Sequence, residues 1–396
     1  MSAPSHVVVV GASAAGLSTV EALRRHGFAG RLTVLGDEPH PPYDRPPLSK
    51  QVLSGTWQPE RARLRSDEVL SALDAEWLLG DPAVGFDAAT LTVRTRSGTT
   101  VSADAVVLAT GTVPRSLPGS TDFAGVHVLR TLDDALALKA ALSEGRRLVV
   151  VGDGVLGAEV AATARILGVD VTMVGPQPRP LAAQLGPLVS GLLADLHREH
   201  GVELALGHTV DGLVDEHGHV TGVRLDDGRL LPADVVLVAV GAYPATNWLQ
   251  GSGLTIDDGV VCDSRLRAAD GVYAVGDVAR WDHLGLGVSV RLENRTNATE
   301  AAQVVAANVL GQDRTYAPIP YYWTDQFDTK IQVFGLPSPT DEFTVVDGDP
   351  AERRFVVRCT RDGRTTAVVG WRMPKQTRLR RAELVDSVAD PAVPAG

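Results

Sequence analysis

Two glycine-bearing stretches carry residue types on which nucleotide chemistry could rest. The later one, VVVGDGVLGAE, places Gly152, Gly154 and Gly157 in the spacing G-x-G-x-x-G, with Val155 and Leu156 between the last two glycines and Glu159 just beyond. That spacing offers a tight turn at the first glycine, close backbone approach to a pyrophosphate at the second, and helix–strand packing at the third. The earlier stretch, VVVVGASAAG, keeps Gly11 and Gly16 in the outer positions, with Ser13 in the middle one and Ala14 and Ala15 following. One such loop suggests a dehydrogenase; two on one chain suggest two dinucleotides with electrons passing between them. Beyond the strand that follows the earlier turn stand Asp37 and Glu38, where a carboxylate takes ribose hydroxyls or a solvated turn acid simply sits. The later unit has Gly175 at the usual acidic position, with Arg179 close by. A carboxylate there favours NADH and an arginine accommodates the 2′-phosphate of NADPH, so the coenzyme, NADH or NADPH, stays open.

The elements that must position these residues follow from periodicity. Residues 6–10 are β-branched, 17–25 have helical spacing and 32–35 are apolar again, which makes a βαβ unit. The same order recurs at 148–151, 156–167 and 169–174, so the chain contains a large internal duplication. Apolar strands at 105–111 and 235–241 close the two units, each ending in a glycine (Gly111, Gly241) before a proline, Pro114 or Pro244. Helices are expected at 185–200 and 298–310, and short β-like runs at 331–334, 343–346, 355–359 and 366–369. The fold class is α/β: two Rossmann-like dinucleotide-binding domains plus a C-terminal α+β domain. The boundaries are 1–112 with 247–317, then 113–246, then 318–396; the tail 386–396, rich in Ala, Val and Pro, is expected to fray.

Composition narrows the function classes. A chain of 396 residues suits two or three domains, and a net charge of −11 argues against a general nucleic-acid binder. No apolar run is long enough to span a bilayer, and the apolar residues 7–17 hold a glycine fingerprint rather than a signal-peptide core, so a cytoplasmic protein is expected. The only cysteines, Cys262 and Cys359, form no CxxC pair and read as small buried hydrophobes. His197 with His200, and His217 with His219, lack an evident third ligand and read as solvated faces, so no metal is expected.

Four further stretches make a resemblance specific: PYDRPPLSK at 42–50, ATG at 109–111 with Pro114-Arg115, YAVGD at 273–277 and PYYWTDQ at 320–326. Together with the two turns, the chain resembles the FAD-dependent ferredoxin reductases of bacterial cytochrome P450 and aromatic dioxygenase systems. The resemblance implies FAD at the first turn and the nicotinamide nucleotide at the second. It implies that Ala109, Thr110, Gly111 and Arg115 line the first site and that Gly241 belongs to the second. Asp277, after Gly276, would hydrogen-bond the ribityl chain, unless it is simply a helix N-cap. Trp323 would lie against the flavin rather than in a core, and Arg45 and Lys50 would stand on the flavin side, with Lys50 paired to Glu159. Where that family usually has Glu-His-Trp, this chain has Glu293-Asn294-Arg295.

With no cysteine in the region 41–54, electrons reaching the flavin must leave the protein. The expected acceptor is a small acidic iron–sulfur ferredoxin, and the expected state a monomer or weak dimer. Arg353, Arg354, Arg358, Arg361, Arg364, Arg372, Lys375, Arg378, Arg380 and Arg381 form a basic region that would steer such a partner, or a solvated face balanced by Glu352 and Asp362. Arg61, Arg63 and Arg65 would contribute or be exposed loop residues. Rival readings are a rubredoxin reductase or NADH oxidase of the same architecture, and a non-turnover flavoprotein sensor of NAD(P)H.

Overall fold

Each glycine turn leaves the end of a parallel sheet of β-branched strands. In the computed structural model, which describes residues 4–384, the chain divides into two units. The first gathers the chain up to Asp44 with Ala62–Val113 and Tyr243–Pro320. In it the strand His6–Val10 pairs in parallel with Arg31–Gly36 on one side and Ala105–Leu108 on the other. Glu76–Leu79 and Val272–Ala274 extend the sheet in parallel, and Arg267–Ala269 adds an antiparallel edge. Val7, Val8, Val9 and Val10 are all buried, because a parallel sheet takes apolar side chains at every position rather than at alternate ones. The helices Ala14–Arg25 and Arg295–Val309 pack together.

The second unit gathers Arg45–Arg61, Pro114–Ala242 and the chain from Tyr321. Its parallel sheet has the order Glu203–Leu206, Asp170–Gly175, Arg147–Val151, Val235–Val238 and Val126–His127. Between Arg147–Val151 and Asp170–Gly175 runs the helix Val155–Ile166. An antiparallel sheet in the same unit runs Tyr321–Gln326, Thr329–Gly335, Arg364–Trp371, Arg354–Arg361, Glu342–Asp349, followed by the short helix Pro374–Arg380.

The duplication expected from periodicity is present, with shifted boundaries. Three helices begin three residues earlier, at Ala14 rather than 17, Ala182 rather than 185 and Arg295 rather than 298, because their first turns hold small or polar residues that an apolar period does not register. The strands expected at 105–111 and 235–241 end at Leu108 and Val238. Beyond those points the backbone turns away after one last bond, from the Ala109 or Ala239 N–H to the central strand. The tail 386–396 lies outside the described residues. No described helix is long and apolar enough to cross a membrane.

Candidate functional site

The two turns superpose in their internal contacts. The Gly11 N–H donates to the Leu35 carbonyl at 2.7 Å and the Gly152 N–H to the Val174 carbonyl at 2.7 Å. Their φ angles, +116° and +131°, lie where an L side chain is strained. A Cβ at either would stand 2.2 Å from the carbonyl oxygen of Ala109 or Ala239. Gly16 and Gly157 press their helices onto the turns, since a Cβ there would be 1.8 Å from the Gly11 oxygen and 2.2 Å from the Gly152 oxygen. The polypeptide itself therefore demands the outer glycines.

The middle position is different. Ser13 and Gly154 are the helix N-caps, with φ of −88° and −82°, conformations open to any residue. A Cβ at Gly154 would have nothing within 4 Å. Neither helix has a side-chain cap or an acid in its first turn. The N–H groups of Ala14, Ala15 and Gly16, and of Val155, Leu156 and Gly157, thus face outward without an intrahelical acceptor, at the positive end of a helix dipole. That combination of open space and unsatisfied donors fits a pyrophosphate at each turn.

Around the first turn, Asp37 is exposed one residue beyond the strand end at Gly36, and Glu38 accepts from the Tyr43 hydroxyl. Thr110 Oγ1 donates to the Ala245 carbonyl at 3.0 Å, and the Gly111 carbonyl accepts from the Ala245 N–H at 2.9 Å. Gly276 brings its turn against Ala15, where an added Cβ would lie 3.1 Å from that methyl. Asp277 sits half-buried inside the short 3-10 turn Gly276–Val278, so it does not cap a long helix; the next α-helix starts at Arg295 behind Asn294. Glu293 accepts from Arg291 at 2.5 Å. Arg295 pairs with Asp44 of the PYDRPPLSK stretch and donates to Thr299 at 2.6 Å, which gives the cation at the usual aromatic position a structural partner.

In the second unit, Lys50 and Glu159 meet at 2.6 Å with both side chains largely buried. Glu159 also accepts from Ser49 Oγ at 2.6 Å, from Thr324 Oγ1 at 2.9 Å and, at 3.4 Å, from the Asp325 N–H. Thr163 Oγ1 donates to the Ser49 carbonyl at 2.8 Å, holding the 3-10 turn Pro46–Ser49 in place. These donors satisfy the buried carboxylate on both oxygens, and the pair fixes the position of Lys50 Nζ. Behind it, Gln326 Nε2 donates to Thr324 Oγ1 at 3.1 Å, and Gln326 Oε1 lies 2.7 Å from His197 Nε2. Ser49 and Thr324 are not legible in the sequence as partners of Glu159, nor Gln326 as the partner of His197, because more than a hundred residues separate the members of each pair.

His197 corrects the reading of a solvated face. It is fully buried, and burial pushes its pKa down to about 4. His200 alone is exposed, stacked on Phe327 with ring centroids 3.9 Å apart. The nearest approach to a metal-binding set among the described residues is His208, Asp226 and Asp227. Asp226 there already accepts from the Thr209 N–H, His208 and Thr209 Oγ1, which pull its pKa down to about 2.

Trp323 and Tyr321 share one face of their strand, stacked with centroids 5.9 Å apart, while Tyr322 and Thr324 point the other way toward Gln184 and Glu159. Trp323 is half-buried rather than a core aromatic, with Lys330 Nζ 5.5 Å from its ring. Arg45 donates to the Arg130 carbonyl. Arg115 donates to the Ala242 carbonyl at 3.3 Å, beside Gly241. Arg179 is exposed. Gly175 ends its strand beneath the carboxylate of Asp153, a residue that the sequence did not single out: a Cβ at Gly175 would be 2.2 Å from Asp153 Oδ2.

Both cysteines are buried. Burial pushes the Cys262 thiol far up and the Cys359 thiol up to about 12, so neither offers a thiolate at neutral pH. The basic region is partly neutralised, though not by Glu352 and Asp362. Arg353 pairs with Glu199, Arg358 with Glu383, Arg361 with Asp341, Arg372 with Asp328, and Arg380 with Asp347 and Glu383. Arg354, Arg364, Lys375, Arg378 and Arg381 are exposed and carry no ion pair among the described residues.

Residues 5–302 match the family model described as pyridine nucleotide-disulphide oxidoreductase, and residues 321–393 match the one described as reductase C-terminal. The chain is 37% identical to the ferredoxin–NAD(+) reductase subunit of a benzene 1,2-dioxygenase system from Pseudomonas putida, over 95% of this chain and 91% of that protein. It is 36% identical to rhodocoxin reductase from Rhodococcus erythropolis, over 89% of this chain and 83% of the relative. Among solved structures, putidaredoxin reductase in its covalent complex with putidaredoxin matches with a TM-score of 0.93 and 32% identity, covering 99% of this chain and 97% of that one. The glycine turns, the buried ion pair and these matches over nearly the whole chain agree: it belongs to the pyridine nucleotide-disulphide oxidoreductase family.

Proposed function

We propose that the chain is a flavoprotein ferredoxin reductase, passing electrons from NAD(P)H through FAD to a small iron–sulfur ferredoxin that serves a P450 or a ring-hydroxylating oxygenase. The observation that carries this reading is the repetition itself: two uncapped helix N-termini behind two glycine turns, in a chain whose two thiols are buried. The names of the Pseudomonas putida and Rhodococcus erythropolis relatives support the same reaction. The parts of the chain divide the work, with 1–112 and 247–317 binding FAD, 113–246 the nicotinamide nucleotide, and 318–396 completing the protein. Two free, buried cysteines fit a reducing compartment, and we read the chain as cytoplasmic, a monomer or weak dimer.

FAD, when bound, accepts the two electrons of a hydride and gives them up singly. The protein's part is positioning and electrostatics. The first turn, with Ser13, Ala14, Ala15 and Gly16, would hold the pyrophosphate, Asp37 the adenosine ribose and Asp277 the ribityl chain; Ala109, Thr110, Gly111, Arg115, Arg45 and Glu293 would line the site. Trp323 would lie against the flavin. Lys50, held in place by Glu159 and Ser49, would favour negative charge near it. The second turn, with Val155 and Leu156, takes the nicotinamide nucleotide beside Gly175, Arg179 and Gly241.

The test is an anaerobic titration of the FAD-loaded protein with NADH and NADPH in parallel, followed by its visible spectrum, and then by addition of an acidic ferredoxin. Bleaching by a coenzyme and rapid reoxidation by the ferredoxin are expected. A flavin that neither coenzyme reduces, or a reduced form that persists with ferredoxin present, overturns the reading. The unpaired cations Arg354, Arg364, Lys375, Arg378 and Arg381 fit an acidic partner. Reversing Arg378 and Arg381 to glutamate should slow ferredoxin reduction ~10-fold at low salt while ferricyanide reduction persists; equal loss of both removes this surface from the proposal.

A further inference from the structure

Asp153 lies where the second coenzyme site lacks its expected acid. Its side chain, nearly buried, leaves the turn between Gly152 and Gly154 and reaches the end of the strand Asp170–Gly175. There Oδ2 accepts the Gln177 N–H at 2.8 Å and Oδ1 accepts Gln177 Nε2 at 2.8 Å. Gln177 Oε1 in turn accepts the Ala183 N–H at 2.7 Å, and the Asp153 carbonyl accepts the Leu181 N–H at 2.9 Å. The carboxylate is thus fixed from both sides, not swinging in solvent. Any side chain at Gly175 would collide with it, since an added Cβ would meet Asp153 Oδ2 at 2.2 Å, Cγ at 2.4 Å and Cβ at 2.6 Å. The acid at 153 and the glycine at 175 therefore require each other.

The first unit shows the alternative arrangement. There the corresponding turn residue is Ala12, the strand also ends in glycine, and a Cβ at Gly36 would lie 2.9 Å from the Ala12 methyl. The acid follows on the strand's own continuation, as exposed Asp37. In the second unit that continuation is Pro176 and Gln177, which carry no charge, and the acid comes from the turn instead.

We infer that Asp153 is the specificity-determining carboxylate of the nicotinamide-nucleotide site, taking the adenosine ribose hydroxyls' side of the turn and disfavouring a 2′-phosphate, so that this chain prefers NADH. Arg179 is the opposing group, but it lies exposed, four residues beyond the strand end, whereas the Asp153 charge is immobile and adjacent. A fixed like charge discriminates more effectively than a mobile counter-charge on a long stem. This inference rests on the reading of the second turn as the nicotinamide site.

The test is calorimetric binding of NAD+ and NADP+ to the FAD-loaded protein and three variants, with the flavin spectrum and melting midpoint recorded for each. The parent protein should favour NAD+ by ~10-fold or more. Asp153→Asn keeps an acceptor for the Gln177 N–H and removes the charge, and it should shrink that ratio ~10-fold, chiefly through tighter NADP+. Gly175→Glu alone should lower the melting midpoint, because it collides with Asp153; Asp153→Gly/Gly175→Glu should recover the midpoint and the preference together. A parent that favours NADP+, or a ratio unchanged in Asp153→Asn with its midpoint intact, overturns the inference. Binding of neither nucleotide by the folded parent is a separate result, and it removes the underlying reading of the second turn.

Discussion

Gly11 and Gly152 make the same bond to the same kind of strand carbonyl, at 2.7 Å in both cases, yet seven residues beyond them the chain differs completely. Ser18 stands on the first helix and Glu159 on the second. The turns agree wherever the polypeptide packs on itself and diverge wherever it meets something else. Their outer glycines are fixed by backbone collisions, their middle residues are free in conformation, and their acids arrive by different routes, Asp37 from a strand end and Asp153 from the turn. A duplicated fold can thus keep its scaffold contacts while every outward-facing position specialises.

That comparison can be broken first at its conserved half. Gly11→Ala and Gly152→Ala should each cost roughly 4 kcal/mol or more, from left-handed strain added to a carbonyl collision. Urea unfolding followed by fluorescence would measure both, and a marked inequality between them would mean that the two turns are not equivalent scaffolds. Next comes the clearest difference. Glu159→Ala leaves Lys50 buried without its anion and should cost about 3–4 kcal/mol, whereas Ser18→Ala should cost under about 1 kcal/mol.

The third prediction belongs to the second unit alone. His197 has a folded pKa of about 4 against an ordinary 6.5, so the unfolded chain binds its proton first. The stability tied to the neutral ring is complete above pH 6.5, is lost as pH falls toward 4, and changes no further below that. Across this window the parent should lose up to about 3 kcal/mol relative to His197→Gln, a difference measurable as converging urea midpoints. The smallest effect on stability is expected at the middle glycine. Gly154→Ala should shift stability by less than about 1 kcal/mol, since its φ suits alanine, while weakening NAD+ binding ~10-fold. A large stability loss there would show that the middle position is structural after all.

Periodicity and spacing exposed the turns because their requirements are local: a glycine every two or three residues, a β-branched run before, a helix after. The Lys50–Glu159 pair was legible only through family resemblance, since nothing in the sequence between them announces the contact. Thr324, Ser49 and Gln326 were beyond reach, because uncharged hydroxyls and amides have no distinctive spacing and acquire a role only when the fold brings Thr324 and Ser49 to one carboxylate and Gln326 behind Thr324. His197 was misread for the same reason: helical position alone does not reveal that Gln326 covers it. For the basic region, sequence offers only near neighbours, Glu352 and Asp362, as balancing acids, whereas the observed partners come from distant elements such as Glu199 and Asp328. Asp153 stayed hidden because its meaning depends on what is absent at Gly175.

The row of bonds behind Glu159 has a direction. A carboxylate can only accept, so the Thr324 hydroxyl must spend its one hydrogen on Glu159, and its lone pair must then receive the Gln326 amide. That orientation turns the Gln326 oxygen toward His197, which must present a hydrogen on Nε2 and leave Nδ1 bare. His197 Nδ1 is indeed buried with no partner among the described residues. The carboxylate that steadies Lys50 thereby dictates the tautomer of a histidine three links away, which the nitrogen chemical shifts of that ring would register.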